Sequence, residues 1–149
     1  MKKAIIIIVC VLGFLSCNNH CKEDTEFKRI YFSMLDTVAS FGKQYNADEE
    51  FVIVEERVSR FSNYADYLQF LTEHKLRYTF FEFPIYQNQS DLEADIRDLK
   101  KWYDENKCGM TIQKADSIVN ASFEQITGQK DSMWWNTPLI RELKGQRNE

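Results

Sequence analysis

A small, mostly α-helical domain of about five to six helices is the fold class this sequence predicts. One short strand or hairpin is allowed near residues 76–86, and an α+β arrangement is the alternative. Three observations predict it. Apolar residues recur at spacings of three and four along most of the chain, which is the period of one helix face. Helix-start and helix-stop residues punctuate these stretches. Glycine and proline are scarce, five and two in 149 residues, and a strand-rich sandwich needs more turn residues than that.

Structure is expected to begin near Glu23. Phe27, Ile30, Met34, Val38, Phe41 and Tyr45 share one helical face. Asn46 then offers an N-cap, with Glu49 three residues on, ahead of Phe51, Val54, Val58 and Phe61. Phe51 to Val54 also has β propensity, and the longer 3.6-residue period favours helix. Ser62-Asn63 reads as a break and a cap. Tyr64, Tyr67, Leu68 and Leu71 then mark a third helix reaching about Lys75. Leu76 to Tyr86 is aromatic-rich and contains Pro84. It is expected to be extended or strand-like; continuation of the third helix to Phe83 is the rival.

Gln87-Asn88-Gln89 is a turn, and Ser90-Asp91-Leu92-Glu93 has the form of a capping box. Leu92, Ile96, Leu99 and Trp102 or Tyr103 supply its buried face, and Gly109 stops it. Thr111 caps the next helix, which turns Ile112, Ala115, Val119, Phe123 and Ile126 inward and ends at Gly128. Thr137-Pro138 opens a short last helix with Leu139, Ile140 and Leu143. Residues 145–149 should fray.

Ahead of this body stand Lys2 and Lys3, then twelve apolar residues or glycine from Ala4 to Leu15, then Ser16-Cys17. A positive start, a short apolar run and a small residue make an export signal, and the run is too short to span a bilayer as a mature helix. Phe14-Leu15-Ser16-Cys17 resembles the lipobox of bacterial lipoproteins, in the variant form seen in Bacteroidota. The resemblance implies cleavage before Cys17, acylation of its sulfur and new amino end, and a firm outer-membrane anchor. It divides the chain into a signal peptide (1–16), a lipidated tether (17–22), one α-rich domain (23–144) and a tail (145–149). Lys22-Glu23-Asp24 resembles the surface-export signal of the same lipoproteins; a plain charged linker has the same letters, so the membrane leaflet stays open.

Without residues 1–16, 133 residues remain, enough for one domain with a core. They carry 17 basic and 23 acidic side chains, a net charge of −6. An acidic body with no basic aromatic stripe does not suit nucleic acid. Of four cysteines, Cys10 leaves with the leader and Cys17 is the expected lipidation site. Cys21 and Cys108 are left, in a compartment that permits a disulfide. Sequence leaves open whether their α-carbons approach within ~7 Å. Cys17-Asn18-Asn19-His20-Cys21 has the wrong order for haem attachment, and acylation would remove a thiolate from any zinc site. No metal and no cofactor is expected.

Candidate chemistry is sparse. His74 lies in the polar run Thr72-Glu73-His74-Lys75 and is expected at the surface; Glu73 and His74 point in different directions on a helix and form no dyad. The acids at 48–56 and at Asp91, Glu93, Asp95 and Asp98 fit solvated helix faces and lack the central glycine of a calcium loop. No nucleophile elbow, phosphate loop or zinc-helix motif occurs, so no catalytic residue is assigned. Trp134 and Trp135 either close the core or anchor a partner, and Phe81 and Phe83 are candidates for a partner-binding strand edge. Asp36-Thr37-Val38, Asp116-Ser117-Ile118 and Asp131-Ser132-Met133 resemble O-glycosylation sites of exported Bacteroidota proteins, with Ser132 the most accessible.

These features describe a chain held to the membrane through Cys17 that binds a protein partner without chemistry, as an inhibitor or immunity protein against a toxin or hydrolase. An accessory subunit of an outer-membrane complex is the alternative, and a small hydrolase is less favoured.

Overall fold

A computed structural model describes residues 21–44, 55–80, 84–129 and 145. It is mostly helical, with a small two-stranded antiparallel sheet. The elements are α1 (Thr25–Gln44), α2 (Glu55–Thr72), β1 (Thr79–Phe80), β2 (Pro84–Ile85), α3 (Gln89–Asn106) and α4 (Ile112–Thr127). Four helices stand among the described residues where five to six were expected. Part of the difference is a correction: no break occurs at Ser62-Asn63, and α2 runs through it. Ser and Asn weaken a helix by offering the backbone local alternatives. Here Phe61, Tyr64, Ala65 and Leu68 are all buried on both sides of the pair, so packing decides. Tyr45, the Asn46 cap, Phe51 to Val54 and the helix at Thr137-Pro138 lie outside the described residues.

α1 is capped by Asp24, whose Oδ1 accepts from the Glu26 and Phe27 amides at 3.0 and 2.8 Å. Phe27, Ile30, Met34, Val38 and Phe41 are buried, as the spacing predicted. Tyr31 and Leu35 widen that stripe. α1 and α3 are antiparallel. Phe27 stacks on Tyr103 at one end of the pair (5.9 Å) and Gly42 faces Leu92 at the other. A Cβ at Gly42 would stand 2.7 Å from Leu92 Cδ2 and 3.2 Å from a Tyr86 ring carbon, both buried. Gly42→Ala is therefore expected to destabilise by about 1–3 kcal/mol, despite alanine's better helix propensity; a thermal melt at or above wild type would refute this close packing.

The 76–86 segment is a hairpin that pairs Thr79 with Ile85 and Phe80 with Pro84. α3 begins after Asn88 rather than at Ser90, so the expected capping box is displaced. The Asn88 side chain bonds Asp91 (3.0 Å) instead of a backbone amide. α4 follows expectation at both ends. Thr111 Oγ1 accepts from the Lys114 amide at 3.2 Å, and Gly128, at φ 70°, closes the C-terminus in the left-handed region. α4 runs in the same sense as α2: Tyr67 bonds Asp116 (2.8 Å) and, further along both, Phe70 meets Phe123 edge-on (5.6 Å).

A disulfide joins Cys21 to Cys108, with α-carbons 5.1 Å apart. It ties the start of the domain to the α3–α4 turn. Glu23 reinforces it by pairing with Cys108 as a β-bridge, by accepting from Tyr103 Oη (2.7 Å) and by an ion pair with Lys28 (2.9 Å). Both acids of Lys22-Glu23-Asp24 thus take part in the fold.

Candidate functional site

Asp95 is the structure's most unusual side chain. It is 0 % exposed, and it is the sole buried charged residue among those described. A buried carboxylate needs partners for its lone pairs, and four donors supply them. Oδ1 contacts His74 Nε2 at 3.0 Å and Arg77 Nη1 at short range. Oδ2 accepts from the Arg77 amide at 2.7 Å and from Tyr86 Oη at 3.0 Å. Arg77 reaches on to Asp98 at 3.3 Å. Burial, then the Asp95 charge, pushes the Tyr86 phenol far up, so it remains a donor. The Asp95 charge likewise holds Arg77 above the usual guanidinium range.

This network corrects two expectations. Asp95 is not on a solvated face, and His74 is half-buried and partnered, 21 residues from its carboxylate. The signal was in the spacing: Asp95 stands three after Leu92 and four before Leu99, on α3's buried face. An acid at such a position needs donors. The three residues that supply them, His74, Arg77 and Tyr86, lie between α2 and α3, two of them in the 76–86 segment that the sequence left ambiguous.

His74 opens onto a groove between the C-terminal ends of α2 and α4. The groove has a volume of about 460 Å³ and is lined by Gln69, Phe70, Glu73, His74, Lys75, Ser122, Gln125 and Ile126. Ile126, expected inward, is 72 % exposed. It lies in α4's last turn, beyond Phe123, where α2 has already ended at Thr72 and no longer covers it. Glu73 ends α2 at φ 56°, the sole non-glycine with positive φ among the described residues. That conformation costs a side chain of this kind about 1–2 kcal/mol, and strain of this sort gathers at functional sites. Glu73→Gly should raise stability by about 1 kcal/mol; a urea midpoint no higher than wild type would show that Glu73 carries no strain.

Two other depressions flank α1. One is bounded by Asp36, Glu93, Arg97 and Lys100 beside the rim of the core, and the other is a shallow surface around Phe32 and Thr37. Neither contains a strained residue or a side chain held by a buried carboxylate.

The carboxylate, imidazole and hydroxyl of Asp95, His74 and Ser122 are the residue types of a hydrolase triad. The surroundings argue against that use. No hydrogen bond joins His74 to Ser122 among the described residues. Both helices aim their C-terminal, negative ends at the groove, which opposes the charge of an oxyanion.

Of the other residues singled out in the sequence, Cys17, Phe81, Phe83, Ser132, Trp134 and Trp135 lie outside the described residues. Phe80, beside Phe81, is 63 % exposed on the hairpin. No cluster of three potential metal ligands occurs, and no helix is long and apolar enough to cross a membrane, among the described residues. The fold and site define a small, disulfide-pinned helical domain with one strained, amphipathic groove. Comparison with family models, with curated proteins and with solved structures finds no match to this chain.

Proposed function

We propose that the chain is a lipid-anchored envelope protein that binds another protein through the groove at the ends of α2 and α4, as an inhibitor or immunity factor. The leader and Cys17 support the anchor. The Cys21–Cys108 disulfide fits an exported protein, since such bonds persist outside the cytosol. The observation that carries the binding function is the placement of the groove. The disulfide fixes the residue four positions after Cys17 beside the start of α4, while Ile126 lies about 21 Å away along that helix. A tether at one end and an exposed, strained groove at the other present the groove away from the anchor.

A second reading, an accessory subunit of an outer-membrane complex, is favoured by the exposed Phe80 on a two-stranded hairpin that pairs with no further strand among the described residues. One experiment separates the two. The native protein is crosslinked in its own cells beside Ile126→Asp and Phe80→Asp variants, both surface changes that leave the core intact. The inhibitor reading expects one soluble partner, lost with Ile126→Asp alone. Loss of a membrane partner with Phe80→Asp alone would favour the subunit reading. Capture indifferent to Ile126→Asp, or no capture, would overturn the groove's role.

A further inference from the structure

We propose that this groove takes an arginine side chain of the partner, with the guanidinium on the Glu73 carboxylate and His74 Nδ1 and the aliphatic stem along Phe70 and Ile126. The inference rests on the binding-protein reading and names the chemistry recognised. It begins at Asp95. The carboxylate accepts hydrogen bonds, so His74 Nε2, 3.0 Å away, carries the proton of that contact. In the neutral ring Nδ1 is then an acceptor, and it has no partner among the described residues. Asp95 is itself immobilised by Arg77 and Tyr86, so the acceptor is held in one orientation.

A second acceptor lines the groove beside it. Glu73 offers a carboxylate, kept at a backbone conformation that would suit glycine better. The α2 and α4 termini add partial negative charge. Gln69 contributes little, because its Oε1 accepts from the Leu76 amide at 2.9 Å and its Nε2 faces Asp66 at 3.3 Å. A groove that holds these two acceptors beside an apolar wall is complementary to a donor-rich, cationic head on an aliphatic stem. The net charge of −6 that remains without residues 1–16 adds attraction at longer range. Arginine suits it better than lysine, because a planar fork of donors meets two separated acceptors at once and packs flat on Phe70. Lys75 is the one cation on the groove's rim; it is exposed and has no ion pair among the described residues. It opposes the ligand, so its removal should tighten binding.

The test titrates the isotope-labelled full chain in detergent with the blocked tripeptide Leu-Arg-Leu. The control is the same peptide with citrulline, which keeps the shape and loses the charge. The arginine peptide is expected to shift the His74 ring and Ile126 methyl resonances saturably. Citrulline should bind about tenfold more weakly and Glu73→Gln about fivefold more weakly, whereas Lys75→Gln should bind more tightly. Equal affinity for the two peptides, an unmoved His74, or indifference to Glu73→Gln would each overturn the proposal. If Ile126→Asp abolishes partner capture while the arginine peptide fails, arginine recognition falls and the binding-protein reading stands. If both experiments fail, both fall.

Discussion

Replacing Cys21 and Cys108 together with serine is expected to lower stability by about 3–4 kcal/mol, visible as a reduced urea midpoint with little change in the native spectrum. The bond joins residues 87 apart in sequence. For a loop of that size the loss of unfolded-chain entropy reaches about 4.6 kcal/mol at most, and residual structure in the unfolded chain reduces it. Both cysteines are exposed, so serine strands no buried group. The native contacts of the strap also survive without the bond: Glu23 still meets Tyr103 and Lys28, and Asp24 still caps α1. These contacts predict a pH dependence in the double variant. The Tyr103 hydrogen bond first, then Lys28, lowers the Glu23 carboxyl below the usual carboxylate range. A lowered acid contributes fully above its unfolded value, and its contribution is lost as pH falls through the folded one. Protection factors for hydrogen exchange at residues 22–24 should therefore fall in acid in the double variant and much less in the bonded protein. A loss below about 1 kcal/mol, or a strap equally mobile in both proteins, would show that the bond constrains neither state as argued.

The elements differ in how clearly their sequences announce them. α1 and α4 were legible because the 3.6-residue period marks most of the face each buries, and Thr111 announces the start of α4; the Asp24 cap of α1 was not read from the sequence, and Ile126 left the buried stripe. α2 was legible as helix, but its continuity was not. Ser62-Asn63 has the letters of a cap, and only the burial of Phe61 and Tyr64 on neighbouring elements makes it an interior. The hairpin at 79–85 was left between strand and helix because its two-residue strands are too short for any period. Most of the candidate site was hidden for a different reason. Its polar members come from residues 73–77, 86 and 95, and no local pattern joins an irregular segment to the middle of a helix. Asp95 alone betrayed it, as an acid in register with Leu92 and Leu99.

Asp95→Ala is expected to cost about 3 kcal/mol, with the damage centred on residues 74–86. The substitution removes the acceptor of four donors at once. Tyr86 matters most: it is 1 % exposed, so its hydroxyl, with burial keeping it protonated, is left without a partner and without water. A stranded buried hydroxyl alone costs about 1–3 kcal/mol. The Arg77 amide loses its partner too, whereas the half-exposed Arg77 guanidinium can turn to Asp98 and solvent. Asp95→Asn should fall between, since it keeps one acceptor oxygen but points an amide at groups that are themselves donors. Asp98→Ala is the control: it removes a 3.3 Å contact at the surface, worth about 0.5 kcal/mol or less. Asp95→Ala and Asp98→Ala unfolding at the same urea concentration would mean that the network does not hold the segment. If the order holds, the consequence reaches the groove. With no carboxylate at Nε2, the His74 ring is free to turn and to exchange tautomers, so a still-folded Asp95→Asn protein should bind the arginine peptide more weakly than wild type although residue 95 never touches it. The same carboxylate would then both stabilise the irregular segment and set the polarity of the surface that segment presents.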